Sequence, residues 1–468
     1  MLDQRLIHDI LTLALSTGAD FAEIFLENTE SNLIALTNGL VEKANWGIDH
    51  GCGLRIIYGG GGGYTAIYAY TNRTDRESLL NLVREAAQAV QPNDSGKIQS
   101  VLTLNRLTIP DRHPVSILPS NANKKEIVDR LRSAAAAATD YNSLITQTRA
   151  SYSSVIQNIL IANSAGLFAE DRRIRTLVSL DVVASSSNEK QTANFRSGTK
   201  RGYEFVESLD FPTIGRSVAQ TAVTMLKADL CPSGRMPVLI DNGFGGVIFH
   251  EACGHSLEAT FIAKKNSVFA DKLNQQIAAP IVTAIDDGTL PNEWGSNNID
   301  DEGTPTRRNI LIENGILKSY LVDYLNGLKM NTPSTGSSRR QSYQFAPTSR
   351  MTNTFIAPGT ESPESIIADT DFGLYAKQMG GGSVQPATGE FNFAVLEAYM
   401  IRHGKIAEPV RGATLIGKGS EVLMNIDRVA NNLKLVGCGM CGSISGSAPV
   451  DVGQPLIRVK QMTVGGRK

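Results

Sequence analysis

The 468-residue chain has no surplus of charge, little cysteine and no long apolar run, and each shortage removes a class of function. Forty-five lysines and arginines are interspersed with 46 aspartates and glutamates, for a formal net charge of -1. A protein that holds nucleic acid or an anionic bilayer electrostatically needs a basic face or a polybasic run, so neither partner is expected. The five cysteines, Cys52, Cys231, Cys253, Cys438 and Cys441, are odd in number and lack the spacing of a disulfide framework. That usage suits a reducing compartment, and cytoplasmic residence is the expectation. No uninterrupted apolar segment reaches the length of a bilayer span. Within residues 1–20, Asp3, Arg5, His8 and Asp9 interrupt what a signal peptide would keep apolar. Leu2, Leu6, Ile10 and Leu13 fall instead at helical steps, which predicts an amphipathic helix.

What is present is an ordinary globular composition, 41% hydrophobic, on a chain too long for one compact core. Two domains are expected. Residues 21–27 and 33–36 read as strands, and residues 51–70 as a hairpin turning at the run Gly59 to Gly63. That run lacks a following Lys-Ser or Lys-Thr, so it is a hairpin tip and not a phosphate loop. Thr74-x-x-Glu77 is a capping box that opens a helix to about Val90, and residues 124–138 make another helix. Residues 143–205 alternate over long stretches with turns at 163–166 and 185–188, as an antiparallel sheet requires, and a helix follows over 214–228. Cys231-Pro232-Ser233-Gly234 then breaks the chain, dividing a domain of residues 1–230 from one of residues 231–468. The second half is rich in glycine and short strands, including 308–313, 317–322, 391–401 and 456–464, with Asn314-Gly315 joining the first two as a hairpin turn. One helix set among many antiparallel strands makes the class α+β.

That helix carries the most informative residues, His250-Glu251-Ala252-Cys253-Gly254-His255, with two of only six histidines. Two neutral imidazoles beside a carboxylate are what a hydrolytic zinc site requires: nitrogen ligands, and a base to take a proton from water. The spacing is unusual. In the familiar helical motif H-E-x-x-H the histidines are four residues apart on one face. Five steps at 3.6 residues per turn leave the second side chain about 140° around the helix, too far to share a metal. Either a π-bulge squeezes one residue into the turn, with Gly254 tolerating the distortion, or the helix ends near Gly254 and His255 reaches back from a turn. The alternative for both histidines is that they are hydrogen-bonded core residues. Cys253, between them, would point away and pack.

A catalytic zinc takes three protein ligands and leaves one position open. His8, His50, His113 and His403 stand in segments that read as surface or loop, without metal-motif company. Cysteine is the better third ligand, and Cys438-Gly439-Met440-Cys441-Gly442 offers it in a glycine-rich turn. The same segment supports a rival, because Cys438-x-x-Cys441 with the two histidines would make a closed Cys2His2 centre without catalysis. Each thiol can also be merely a small buried hydrophobe. A further rival, Gly412-Ala413-Thr414-Leu415-Ile416-Gly417-Lys418-Gly419, approaches a P-loop but has Gly419 where the magnesium-holding hydroxyl belongs.

With these residues in view, the chain resembles metallopeptidases of the TldD/PmbA family, of the catalytically active TldD type. The resemblance runs over nearly the whole length and rests on the histidine motif, on Asp300-Asp301-Glu302-Gly303-Thr304-Pro305-Thr306, Arg350-Met351-Thr352-Asn353-Thr354, Gly380-Gly381-Gly382 and Thr388-Gly389-Glu390-Phe391. It continues through Cys441-Gly442, residues 448–455 and Thr463-Val464-Gly465-Gly466. It implies that His250, His255 and Cys441 bind Zn²⁺ and that Glu251 is the general base. It implies an amino-terminal α/β domain followed by a carboxyl-terminal domain dominated by antiparallel sheet and carrying the metal-binding helix. It also implies a dimer, either a homodimer or a heterodimer with an inactive family member that lacks the histidines. The substrate would be a peptide or unfolded protein, bound extended along a strand edge with weak selectivity. Arg350, Asn353 and Gly303-Thr304 are candidate contacts, with loop fixing as their alternative role. Ser445-Gly446, where the family usually has Gly-Gln, would alter substrate preference near the metal and leave ligation intact.

Overall fold

The computed structural model describes residues 3–60, 63–88, 100–385 and 388–466. It begins with helix α1 (Gln4–Leu15), capped by Asp3, whose side chain accepts from the Arg5 amide. Its buried stripe is Ile7, Ile10, Leu11, Ala14 and Leu15, so Ile10 lies at its centre while Leu6 and Leu13 flank it; Leu2 lies outside the described residues.

Strands β1 (Phe21–Thr37), β2 (Leu40–Gly60) and β3 (Gly63–Thr71) follow, then helix α2 (Arg76–Gln88) and the short strand β4 (Asn105–Leu107). The expected continuation of α2 to Val90 lies outside the described residues, as do positions 61 and 62 of the glycine run. Gly60 pairs with Gly63, so the run does close a hairpin. Helix α3 (Lys124–Thr139) leads into β5 (Ile145–Asn163), β6 (Leu167–Ser185) and β7 (Lys190–Thr199), and helix α4 (Phe211–Lys227) ends the first half. All seven strands form one sheet in the order β3-β2-β1-β5-β6-β4, with β7 also on β6.

The alternation of side chains sorts this sheet into two working faces. Ala22, Ile24, Ile34 and Leu36 of β1, Ala150, Tyr152, Leu160 and Ala162 of β5, and Val178, Leu180 and Val182 of β6 face the helices. There α3 and α4 cover one end of the sheet and α1 and α2 the other. The odd-numbered residues of β1, β5 and β6 face the second half. Phe25, Ile159, Ile161 and Ala169 pack there with Ile299 and Tyr343.

The second half is built on an eight-stranded sheet whose order returns on itself. Strands Phe372–Gln385, Gly234–Gly243, Ile457–Gly465, Thr414–Lys418 and Glu390–Arg402 follow one another, and the last pairs with the first. Only Gly234–Gly243 against Phe372–Gln385 is parallel within this closed path. A second sheet runs from Ile316–Leu317 through Arg308–Glu313, Ala284–Asp287 and Asn353–Ile356 to Gly446–Gln454. Residues 318–322, expected to extend the strand at 317, lie outside any named strand, although Leu321 bridges to Glu258. The molecule is α+β, and its largest apolar cluster gathers Val238, Ile240, Leu374, Phe393 and Leu415 around Val247, Phe249 and Leu257 of the segment bearing the histidines.

Candidate metal centre

Strand Gly234–Gly243 delivers the chain into that cluster, and residues 244–246 turn it sharply. Phe244 has φ +60°. A Cβ on Gly246 would lie 2.6 Å from the Gly453 nitrogen, so only glycine lets the helix start this close to strand Gly446–Gln454. One α-helical turn, Val247–Phe249, passes into a π turn, His250–Gly254, and then a 3-10 turn, His255–Leu257. The His255 amide donates to the His250 carbonyl, the five-residue bond that defines a π turn. Of the two geometries open from the spacing, the squeezed turn is realised, and the helix changes character at His255. The inserted residue brings the imidazoles together, with centroids 5.1 Å apart and planes at 80°.

Cys441 arrives from strand Gly439–Ser443, paired antiparallel with Gly446–Gln454 and opposite Ala448. Its Sγ lies 3.3 Å from His250 Nε2 and 3.1 Å from His255 Nε2. The three donor atoms are all within 4.8 Å of one another. Donors sharing one tetrahedral zinc at ordinary bond lengths stand about 3.5 Å apart, so two imidazoles and a thiolate in this arrangement fit such an ion. Glu251 borders the same point, its Oε2 3.8 Å from His255 Nε2 and its side chain 32% exposed.

Two buried groups that the sequence reading did not assign to the centre hold the donors. Glu258, with no exposed surface, sits 3.0 Å from His255 Nδ1, which fixes that nitrogen as the protonated one and leaves Nε2 as the donor to a metal. Arg350, equally buried, donates to the carbonyls of Cys441 and Gly446 and to Ser445 Oγ, and its Nε lies 4.0 Å from Glu258. Arg350 therefore ties the cysteine strand to the histidine helix and is not a free substrate contact. His250 has no such orienting partner, and its Nδ1 is buried without a hydrogen bond among the described residues.

Burial opposes a thiolate at Cys441, but the two imidazoles outweigh it and bring the thiol down to about 4. Burial likewise opposes a charged His255, yet Glu258 and Cys441 lift it well above the ordinary imidazole value. The centre thus carries a negative sulfur that a divalent cation would neutralise. The other thiols differ. Cys253 is buried in the apolar cluster, as expected, and burial pushes it up. Cys438 is pushed by burial up to about 12 and faces away, its Sγ accepting from the Gly198 amide at 2.9 Å.

The remaining candidates are structural. Asn353 is fully buried and joins Asp287, Gly295 and Ser296. Gly303 packs under Leu167 of β6, where a Cβ would come within 2.3 Å. His113 lies in a loop, one of the two settings expected for it, but is buried there and accepts from the Asn292 amide. Residues Thr414–Lys418 of the P-loop-like stretch form a strand of the closed sheet, so no loop cradles a phosphate there. A cleft of about 790 Å³ opens between β7 and the second half, lined by Arg196, Phe244, Glu293, Gly380, Cys438 and Asp451 among others and by none of His250, Glu251, His255 and Cys441.

Comparison with known proteins gives consistent results. Three family models match in succession: PmbA/TldA metallopeptidase domain 1 over residues 22–90, the central domain over 117–226 and the C-terminal domain over 233–466. A metalloprotease TldD homolog of Haemophilus influenzae is 34% identical over 99% of this chain and 97% of its own length. A metalloprotease of Methanocaldococcus jannaschii is 31% identical over 94% and 96%. Among solved structures, a Thermotoga maritima protein named as a proposed modulator of a DNA gyrase superposes with TM-score 0.81 at 20% identity, over 99% of this chain and all of that one. TldE from Thermococcus kodakarensis gives 0.77 at 17%, over 98% and 100%. At these identities the two structures speak to the fold alone.

Proposed function

The chain belongs to the PmbA/TldD metallopeptidase family, and from that premise we propose that it hydrolyses peptide bonds in short or unfolded polypeptides with zinc held by His250, His255 and Cys441 and with Glu251 as general base. The observation that carries this reading is the convergence of three donor atoms beside a partly exposed carboxylate. Zinc bound there would supply Lewis acidity to a water and to the scissile carbonyl. In this reading Glu251 takes the proton that water gives up and passes it to the leaving amine, so one carboxylate serves both transfers. Glu258 keeps His255 in one tautomer through both, and Arg350 keeps the Cys441 carbonyl, and with it the thiolate, in register.

The closed Cys2His2 alternative finds no support, since Cys438 is engaged at Gly198. The proposal includes a division at residue 230. Strands β1–β7 lie before it, and the sheets of the second half after it, apart from Asp229–Leu230, which pairs with Lys405–Arg411. It includes self-association as a homodimer or pairing with an inactive relative. It also includes cytoplasmic residence, for which the five free cysteines are the support; among the described residues no helix is long and apolar enough to cross a membrane. The test is a peptide-library digest by zinc-loaded protein with a chelator control, beside metal analysis of Cys438→Ser and Cys441→Ser. Cleavage abolished by chelation, with metal lost only in Cys441→Ser, is expected; metal lost in both variants would favour the closed site and overturn the reading.

A further inference from the structure

One edge of the amino-terminal sheet is left open over a defined length. Strand β2 pairs with β1 from Leu40 to Ile57, but with β3 only from Cys52 onward. Over residues 40–51, therefore, no strand among the described residues takes the backbone groups on its other side. Natural sheets shorten, twist or cover such edges, because a row of free amides and carbonyls recruits another strand. Here the edge is long, and Leu40, Val41, Trp46 and Ile48 are all exposed on it. A bulge where Ala35 pairs with Lys43 and Leu36 with Val41 places Glu42 out of step, so the regular free segment begins at Lys43.

We propose that residues 43–49 of β2 pair antiparallel with the same residues of a second copy of this chain, about a two-fold axis through Trp46. The argument is the self-complementarity of the segment Lys43-Ala44-Asn45-Trp46-Gly47-Ile48-Asp49. A two-fold contact places each residue opposite its mirror in the sequence. Centred on Trp46, Lys43 then faces Asp49, Ala44 faces Ile48 and Asn45 faces Gly47, while Trp46 meets itself. Ala44, Trp46 and Ile48 share the parity of Cys52, Leu54 and Ile56, whose side chains lie in the helix-covered core. They therefore form one continuous apolar strip on that face, and Lys43 and Asp49 close its ends from the other. Trp46 is already braced for this, since its Nε1 donates to Glu30 across β1 at 2.9 Å. Asp49 receives only a long 3.3 Å bond from the Tyr343 hydroxyl.

This inference rests on the self-association put forward above and not on the metal chemistry, so the two fail separately. The full-length chain is expected to sediment as a dimer at micromolar concentration. Lys43→Glu, which sets like charges opposite one another twice, weakens that dimer about tenfold, and Lys43→Glu with Asp49→Lys restores it. Trp46→Cys cross-links under mild oxidation; Ile48→Cys does so only when Ala44→Cys is also present. Circular dichroism and peptide cleavage, read on the same samples, show that each variant is folded. A wild-type monomer at that concentration overturns the proposal, as does a dimer indifferent to Lys43→Glu and not cross-linked at Trp46→Cys.

Discussion

Glu251 and Glu258 occupy one short segment, yet 32% of the first side chain is exposed and none of the second. In the proposed reaction that difference sets their work: the exposed carboxylate reaches water and substrate, and the buried one reaches only an imidazole. Glu251→Ala is expected to lower peptide cleavage by about 10²- to 10⁴-fold while zinc content and melting temperature stay unchanged; retained cleavage would remove it as the base. Glu258→Gln keeps the shape but weakens the hold on His255, so metal affinity should fall about 10- to 100-fold in a folded protein, read by competition with a chromogenic chelator. A third expectation follows from ionisation. With the Cys441 thiol held near 4, and those of Cys52 and Cys438 pushed up to about 12, only Cys441 is a thiolate at pH 6 in chelator-treated protein. Iodoacetamide should modify it first, zinc should protect it, and peptide mass mapping that finds another cysteine labelled faster would contradict the picture. His250, Glu251 and His255 are legible in the sequence because they are neighbours. Two thiols three residues apart gave no local reason to prefer Cys441 over Cys438, and only the fold turns one toward the histidines. Glu258 carried no motif, since its role depends on a 3-10 turn closing it back onto His255.

The five-residue histidine spacing forces an irregular helix, and the element supplies it in a buried place where irregularity is tightly constrained. Gly254 lies under the fully buried Met351, whose Sδ would be 2.2 Å from an added Cβ. Gly254→Ala should cost about 1–3 kcal/mol of stability by overpacking and reduce metal affinity by displacing the π turn. Adding Met351→Ala opens the space, so the double variant should regain affinity over Gly254→Ala alone; if it does not, the steric account of this turn is wrong. Elsewhere the elements were readable wherever side-chain pattern governs. The turn at 163–166 and helix α3 fall where the pattern put them. The sequence pattern divides β1 into two pieces because Asn28 to Asn32 is polar, but there it is hydrogen-bonded to β2 on one side and β5 on the other, and backbone pairing carries it through.

Across the whole molecule, the first half meets the second through buried charge. The run Asp300-Asp301-Glu302 was visible as a motif, but its arginine partners in the first half stand 127 to 247 residues earlier in the chain, so nothing local disclosed its function. Arg55 on β2 joins Glu23 and Glu302, Arg173 on β6 joins Asp171 and Asp301, and Arg340 returns to Glu23, all nearly without solvent. Breaking such a pair from one side leaves a stranded charge and costs about 3–5 kcal/mol. Glu302 makes the cost depend on pH. Burial raises its carboxyl most, Arg55 opposes, and the balance stands at about 7 against an ordinary 4.5. A carboxyl raised on folding holds its proton better in the native state than in the unfolded one. Its stabilising share is therefore full below pH 4.5 and is lost as pH climbs through 7. Arg55→Met removes the opposing cation and raises Glu302 further. The variant should then unfold at lower urea than wild type at pH 8, where the unfolded chain releases the Glu302 proton that the native variant holds more tightly, and at only modestly lower urea at pH 5.5, where Glu302 is protonated in both native proteins. Arg55→Met with Glu302→Gln abolishes the ionisation and should recover most of the pH 8 loss. Equal losses at both pH values, unrelieved by the second substitution, would mean that Arg55 acts through packing and not by meeting the charge of Glu302.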